Sequence, residues 1–190
     1  MRAQTQIITY LLLSGLLITI VGVVYLWGIP LIQKNRDINL LQGSEDFMKR
    51  LDLIVKDVAN THGRNAISFE LDGELWFNES ENAFRLIVET KGSIYSVGRI
   101  YFVRNPNETG EWGKDEPAIL YVDVSPTASG YRQVYVLKYR KLLAKDGRSF
   151  QIALQGGDFA VHRGRKVVVE FDQVLKANGE TKTIVRVYKE

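Results

Sequence analysis

The side chains best suited to chemistry are few in this chain. It holds two histidines, His62 and His162, and neither has a His, Cys or Asp beside it at metal-ligand or catalytic-triad spacing. Cys is absent, so a disulfide framework, a thiolate cluster and a thiol nucleophile are all excluded. No Gly-rich phosphate loop is present, and Gly156-Gly157 reads as a turn. Glu70 and Glu74 are expected to face each other across a hairpin, on its solvent side. These residues point away from catalysis: the chain is not expected to be an enzyme, and no catalytic, cofactor-binding or metal-binding residue is assigned.

Binding chemistry is better represented. His162, Arg163, Arg165 and Lys166 form a compact basic run, with Arg140, Lys141, Lys145 and Arg148 as further cations. Such a surface suits acidic glycans, phospholipid headgroups or nucleic acid. Tyr131, Tyr135 and Tyr139 share one side of a predicted strand, where alternation of this kind usually means half-buried packing. Two glycosylation sequons, Asn78-Glu79-Ser80 and Asn107-Glu108-Thr109, fall in predicted turns. The net charge of +3 is unevenly spread: residues 38–124 carry −6 and residues 125–190 carry +7. That asymmetry matters only if the two halves of the sequence are also halves in space.

The elements that must carry these residues begin with a long apolar run. From Ala3 to Gln33 no side chain is charged, and Ile7 to Ile32 is almost wholly apolar. At 1.5 Å rise per residue, about 20 such residues cross the ~30 Å hydrocarbon layer of a bilayer. Tyr10 near one end, and Tyr25 and Trp27 near the other, suit the two headgroup zones. Gly15 and Gly22, with Ser14 and Thr19, are small residues that could admit a partner helix. Pro30 is expected to end or kink the helix. A cleaved signal peptide fits poorly: only Arg2 precedes the run, the run is too long, and Trp27-Gly28-Ile29-Pro30 is a poor cleavage site.

A polar juxtamembrane step follows, and then a second helix is predicted with Ser44 as its N-cap and His62-Gly63 as its stop. Phe47, Leu51, Ile54, Val55 and Val58 form its apolar face, a stripe that Ile38 and Leu41 extend backwards, so that anchor and second helix join at a break near Pro30 or Gly43. From Ile67 the period changes to two. The predicted strands are Ile67–Leu71, Glu74–Phe77, Ala83–Thr90, Ser93–Val103, Ala118–Val124, Tyr131–Arg140, Ser149–Leu154, Lys166–Leu175 and Thr181–Tyr188. Asp72-Gly73 is read as the turn of a two-residue hairpin. The expected fold is mainly β with an N-terminal helix: residues 1–33 a leader and transmembrane or assembly helix, 34–64 a juxtamembrane segment and short amphipathic helix, and 65–190 an antiparallel β-sandwich or barrel of eight or nine strands.

The start, Met1-Arg2-Ala3-Gln4-Thr5-Gln6-Ile7-Ile8, followed by an uncharged helix and a β-rich head, resembles archaeal type IV pilin-like proteins. The resemblance covers about the first 35 residues. It implies that a membrane prepilin peptidase cuts between Ala3 and Gln4 and leaves the hydrophobic segment on the mature chain. Many pilins carry Glu at the fifth mature position, which here is Ile8; a minor pilin or an archaellum anchor protein therefore fits better than a main filament subunit. Lys34, Arg36, Lys49 and Arg50 follow the apolar run, and short-flank charge counting would hold that side in the cytoplasm. Long domains translocate largely regardless of charge, so the β head is expected outside the cell. The expected partners are the membrane, other pilin-like subunits through the N-terminal helix, and envelope or S-layer components, with no nucleic acid.

Overall fold

The computed structural model describes residues 2–190, with side chains from Thr9 onward. One helix, α1 (Arg2–Thr61), precedes twelve strands. The strands are β1 (Arg64–Phe69), β2 (Glu74–Asn78), β3 (Ala83–Thr90), β4 (Gly98–Tyr101), β5 (Thr109–Glu111), β6 (Ala118–Thr127), β7 (Gly130–Tyr139), β8 (Lys141–Leu143), β9 (Ser149–Gln155), β10 (Phe159–Val161), β11 (Arg165–Ala177) and β12 (Glu180–Lys189). They form two six-stranded sheets, ordered β1-β11-β12-β9-β8-β5 and β10-β2-β3-β7-β6-β4. The sheet is not purely antiparallel: β12 with β9 and β5 with β8 are parallel pairs.

The expected break between two helices does not occur. α1 runs through Pro30 and Gly43 for 60 residues, a rod about 90 Å long. Pro30 withdraws one donor from the Leu26 carbonyl, but the helix continues beyond it. On the C-terminal side Gln33 Nε2 donates to Asp37 Oδ1 at 2.9 Å, an i,i+4 pair across the polar step. Ser44 is not an N-cap: its hydroxyl is buried and donates back to the Leu40 carbonyl at 2.7 Å, inside the helix. The rod ends where expected. His62 takes φ 59°, and its N–H bonds to the Val58 carbonyl at 3.0 Å, a left-handed cap.

Leu41, Phe47, Met48, Leu51, Val55, Val58 and Ala59 recur at helical spacing and are all buried. From Phe47 onward they share one core with Phe69, Val167, Val169, Val185 and Val187 of the first sheet and Leu75, Phe77, Phe84, Leu86, Tyr135 and Leu137 of the second. The C-terminal part of the rod is therefore the central packing element of a β-sandwich. Tyr135 and Tyr139, fully buried, bond back to it: Tyr135 donates to the Leu41 carbonyl at 3.0 Å and Tyr139 to Asp52 Oδ1 at 3.0 Å. Tyr135 and Tyr139 are core, and Tyr131 is half-buried against it.

The predicted hairpin at Asp72-Gly73 is a correction of another kind. β1 pairs with β11 and β2 with β3, so the turn carries the chain from one sheet to the other. Glu70 and Glu74 consequently do not oppose each other in a ladder. Gly73 is needed for closeness: a Cβ there would lie 2.7 Å from the Ile87 carbonyl oxygen. The hairpin with positive φ at both central residues is Asn178-Gly179, joining β11 to β12. Cross-pairing of β1 with β11 and β3 with β7 also interleaves the acidic and basic halves of the sequence.

Candidate membrane and assembly interface

The N-terminal half of the rod is bare. Fourteen Leu, Ile and Val side chains between Leu11 and Ile32 are exposed, Leu26 to 75 % and Ile18 to 73 %. The helix is long and apolar enough to cross a membrane, and none of its most hydropathic window is buried. Covering each such side chain is worth roughly 1.5–3 kcal/mol, so the run as a whole stands to gain tens of kcal/mol from an apolar environment. Two hydroxyls of the run are satisfied within the helix: Ser14 Oγ donates to the Leu11 carbonyl at 2.9 Å and Thr19 Oγ1 to the Gly15 carbonyl at 2.8 Å. That is the condition for a helix in a medium without water. A Cβ on Gly15 or Gly22 would meet nothing within 4 Å, so both positions leave a shallow notch open to a neighbour. Ala3 and Gln4 lie outside the residues whose side chains are described.

The head meets the rod almost at once. Asp37 is buried to 7 % exposure; its Oδ2 accepts from the Gly92 N–H at 2.8 Å. Residues 91–97, the β3–β4 loop, thereby clamp onto the helix about 8 Å beyond Ile32. The loop and the helix enclose a cleft of about 520 Å³, lined by Ile29, Pro30, Lys34, Ile38, Lys91 and Ile94 among others. Higher up, Glu45 Oε2 accepts from the Tyr95 hydroxyl at 2.7 Å and Glu45 Oε1 from Lys49 at 2.6 Å. Burial works against the Glu45 charge, but these two donors outweigh it and hold its carboxyl below the usual value. Burial, chiefly, pushes the Tyr95 hydroxyl up to about 12. Two helical turns further on, burial leads the other way for Asp52: its carboxyl is raised despite Lys56 at 2.8 Å and Tyr139.

The basic run 162–166 is exposed. It lies at the rod-entry end of the head, since the Gly164 N–H donates to the Phe69 carbonyl at 2.8 Å and Phe69 packs on Phe47 with ring centroids 5.3 Å apart. Arg163 is paired with Asp72 at 2.5 Å, and His162 Nδ1 sits 3.7 Å from Glu74. Arg165 and Lys166 make no ion pair among the described residues. Arg140 does not join them. It is 3 % exposed, and its guanidinium donates to the carbonyls of Glu116, Asn105 and Asn107 at 2.7–2.9 Å. It ties the 102–108 loop, which precedes β5, to Glu116 instead. Asn107 stands exposed on that loop. Asn78 ends β2, half-buried, and its Oδ1 accepts from Ser80 Oγ at 2.8 Å and the Glu81 N–H at 2.9 Å.

Three positions escaped the sequence reading. Asn82, at φ 54°, spans the sheets: Nδ2 donates to the carbonyls of Tyr139 and Ile152 and Oδ1 accepts from the Leu154 N–H. Asp37 is the first carboxylate after the uncharged run, the one hint to its role. Trp112, half-exposed, stacks on Phe150 with centroids 3.9 Å apart, beside a groove of about 410 Å³ lined also by Lys56, Asp115, Leu142 and Ile152. No protein-family model, curated protein or solved structure matches the chain.

Proposed function

We propose that this chain is a pilin-like cell-surface structural protein, anchored and assembled through its N-terminal helix. The observation that carries the reading is the division of one continuous helix: Phe47–Ala59 lies in the core of the head, and Leu11–Ile32 is a bare apolar rod. A rod that is rigidly continuous with its head transmits position and load without a hinge. In the membrane it is covered by lipid; in an assembly it is covered by like rods, with Gly15 and Gly22 as the close-approach notches. The β head faces outward, where a chain without Cys relies on core packing and strand pairing alone.

A second reading is favoured by the Trp112–Phe150 groove: an anchored head that holds an envelope component rather than building a filament. Shearing of native cells followed by N-terminal mass spectrometry separates the two. Recovery in sheared filaments with Met1–Ala3 missing supports the structural subunit. An intact leader, with the chain in membranes alone, supports the anchored binding head.

A further inference from the structure

We propose that the cleft between α1 at Ile29–Leu41 and the β3–β4 loop seats an anionic membrane lipid, so that the head rests on the bilayer surface instead of standing free of it. The inference rests on the membrane-anchor part of the reading above. The cleft is lined by Ile29 and Pro30, which belong to the apolar run itself. If that run lies in lipid, the 91–97 loop lies at headgroup depth as a matter of geometry. The loop is built for that depth: Ile94 is 44 % exposed and Val97 61 % exposed, next to Lys91. Apolar side chains with a flanking cation suit the headgroup layer.

The cleft's chemistry is amphipathic. Ile29, Pro30, Ile38, Leu41 and Ile94 make its floor, and Lys34 and Lys91 stand at its edge. Neither lysine has an ion pair among the described residues. The carboxylate of Asp37 also lines the cleft, but Oδ1 accepts from Gln33 and Oδ2 from Gly92, so both oxygens are engaged. Two unpaired cations above an apolar floor match a phosphate headgroup joined to acyl chains; a free phosphate would leave the floor wet. Arg36, on another side of the helix, adds charge at the same level, and Arg165 and Lys166 add to the same end of the head. Each cation near an anionic surface adds to the attraction.

The chain has no Cys, so single-label variants are direct. Full-length chain bearing Ile94→Cys, or Val97→Cys as a second position, is labelled with NBD. It is reconstituted in phosphatidylcholine vesicles with and without phosphatidylglycerol, doped with shallow doxyl lipid. Leu16→Cys reports the anchor and Lys145→Cys the distal head. The proposal expects quenching at Ile94 and Val97 several-fold above that at Lys145, stronger with phosphatidylglycerol, and reduced by Lys34→Glu with Lys91→Glu while Leu16 quenching stays unchanged. Loop quenching no greater than at Lys145, with Leu16 quenched, overturns the lipid seat and leaves the anchor intact. Equal quenching with and without phosphatidylglycerol, indifferent to the lysine reversals, also overturns it. So does quenching of the loop by nitroxide carried at Leu16→Cys of a second copy rather than by lipid, since the cleft then holds a neighbouring rod. An unquenched Leu16 removes the anchor reading, and the lipid seat with it.

Discussion

Asp37 Oδ2 and the Gly92 N–H, 2.8 Å apart, join the rod to the head at the point where the rod becomes polar. The bond is charge-assisted and the carboxylate is buried, which places it among the stronger hydrogen bonds. Removing it leaves the Gly92 donor and the Gln33 amide without their acceptor. Asp37→Ala is expected to cost about 1.5–3 kcal/mol. Hydrogen exchange should accelerate first in residues 91–97, before the rest of the second sheet. Uniform acceleration across the head would show that this bond does not hold the loop.

The two halves of α1 should respond oppositely to the same substitution. Leu51 is fully buried in the sandwich core, so Leu51→Ala is expected to destabilise the head by about 2–5 kcal/mol in a denaturant melt. Leu16 is 57 % exposed. Leu16→Ala should leave that melt unchanged. A head destabilised equally by both would mean that the rod is not divided as described.

Titration separates carboxylates of opposite sign. Glu45 lies below its usual value of 4.5, so its contribution is present above that pH and fades as pH falls through the lower, folded value. The stability gap between the native chain and Glu45→Gln should narrow on acidification. Asp52 lies above its usual value of 3.8, through burial first. The native chain therefore loses stability at this site as pH rises through and above 3.8, and Asp52→Asn should gain on it over the same span. Tyr95, pushed up to about 12 from 10.0, adds an alkaline edge: its contribution holds below pH 10 and is lost on the way to 12. Melts from pH 3 to pH 12 read all three.

Gly15 and Gly22 have open space where a side chain would go. Leucine at both positions should not disturb the isolated chain. It should reduce self-association of the rods in detergent or lipid, measured by cross-linking or sedimentation, while the head melts as before. Unchanged association would move the rod–rod contact to another face.

Much of the fold was legible because its signals are local and periodic. The strand at Ala83–Thr90 matches to the residue, and the five strands that follow the pattern from Ala118 to Lys189 differ only at their ends. The three-residue strands β5, β8 and β10 have too few residues to show a period. The continuity of α1 was hidden because Pro30, Gly43 and Ser44 are good local stop and start signals. Tertiary packing overrode them: Leu71 fills the space at Gly43, and the Ser44 hydroxyl turns back to Leu40. Asp72-Gly73 misled for a related reason, since whether two strands joined by a turn share a sheet is decided by long-range pairing. The interface was half-visible. The apolar run announced itself, but its closure by Asp37 and Gly92 joins residues 55 apart in sequence, which no window of neighbouring residues can reveal.

Fractionation of native cells, with protease added outside, tests the main claim most directly. The account predicts that the full chain stays with membranes or surface filaments, leaves membranes only in detergent, and loses its β head to external protease while the Leu11–Ile32 rod is spared. A full-length chain recovered as a detergent-free monomer from the cytosol would contradict it.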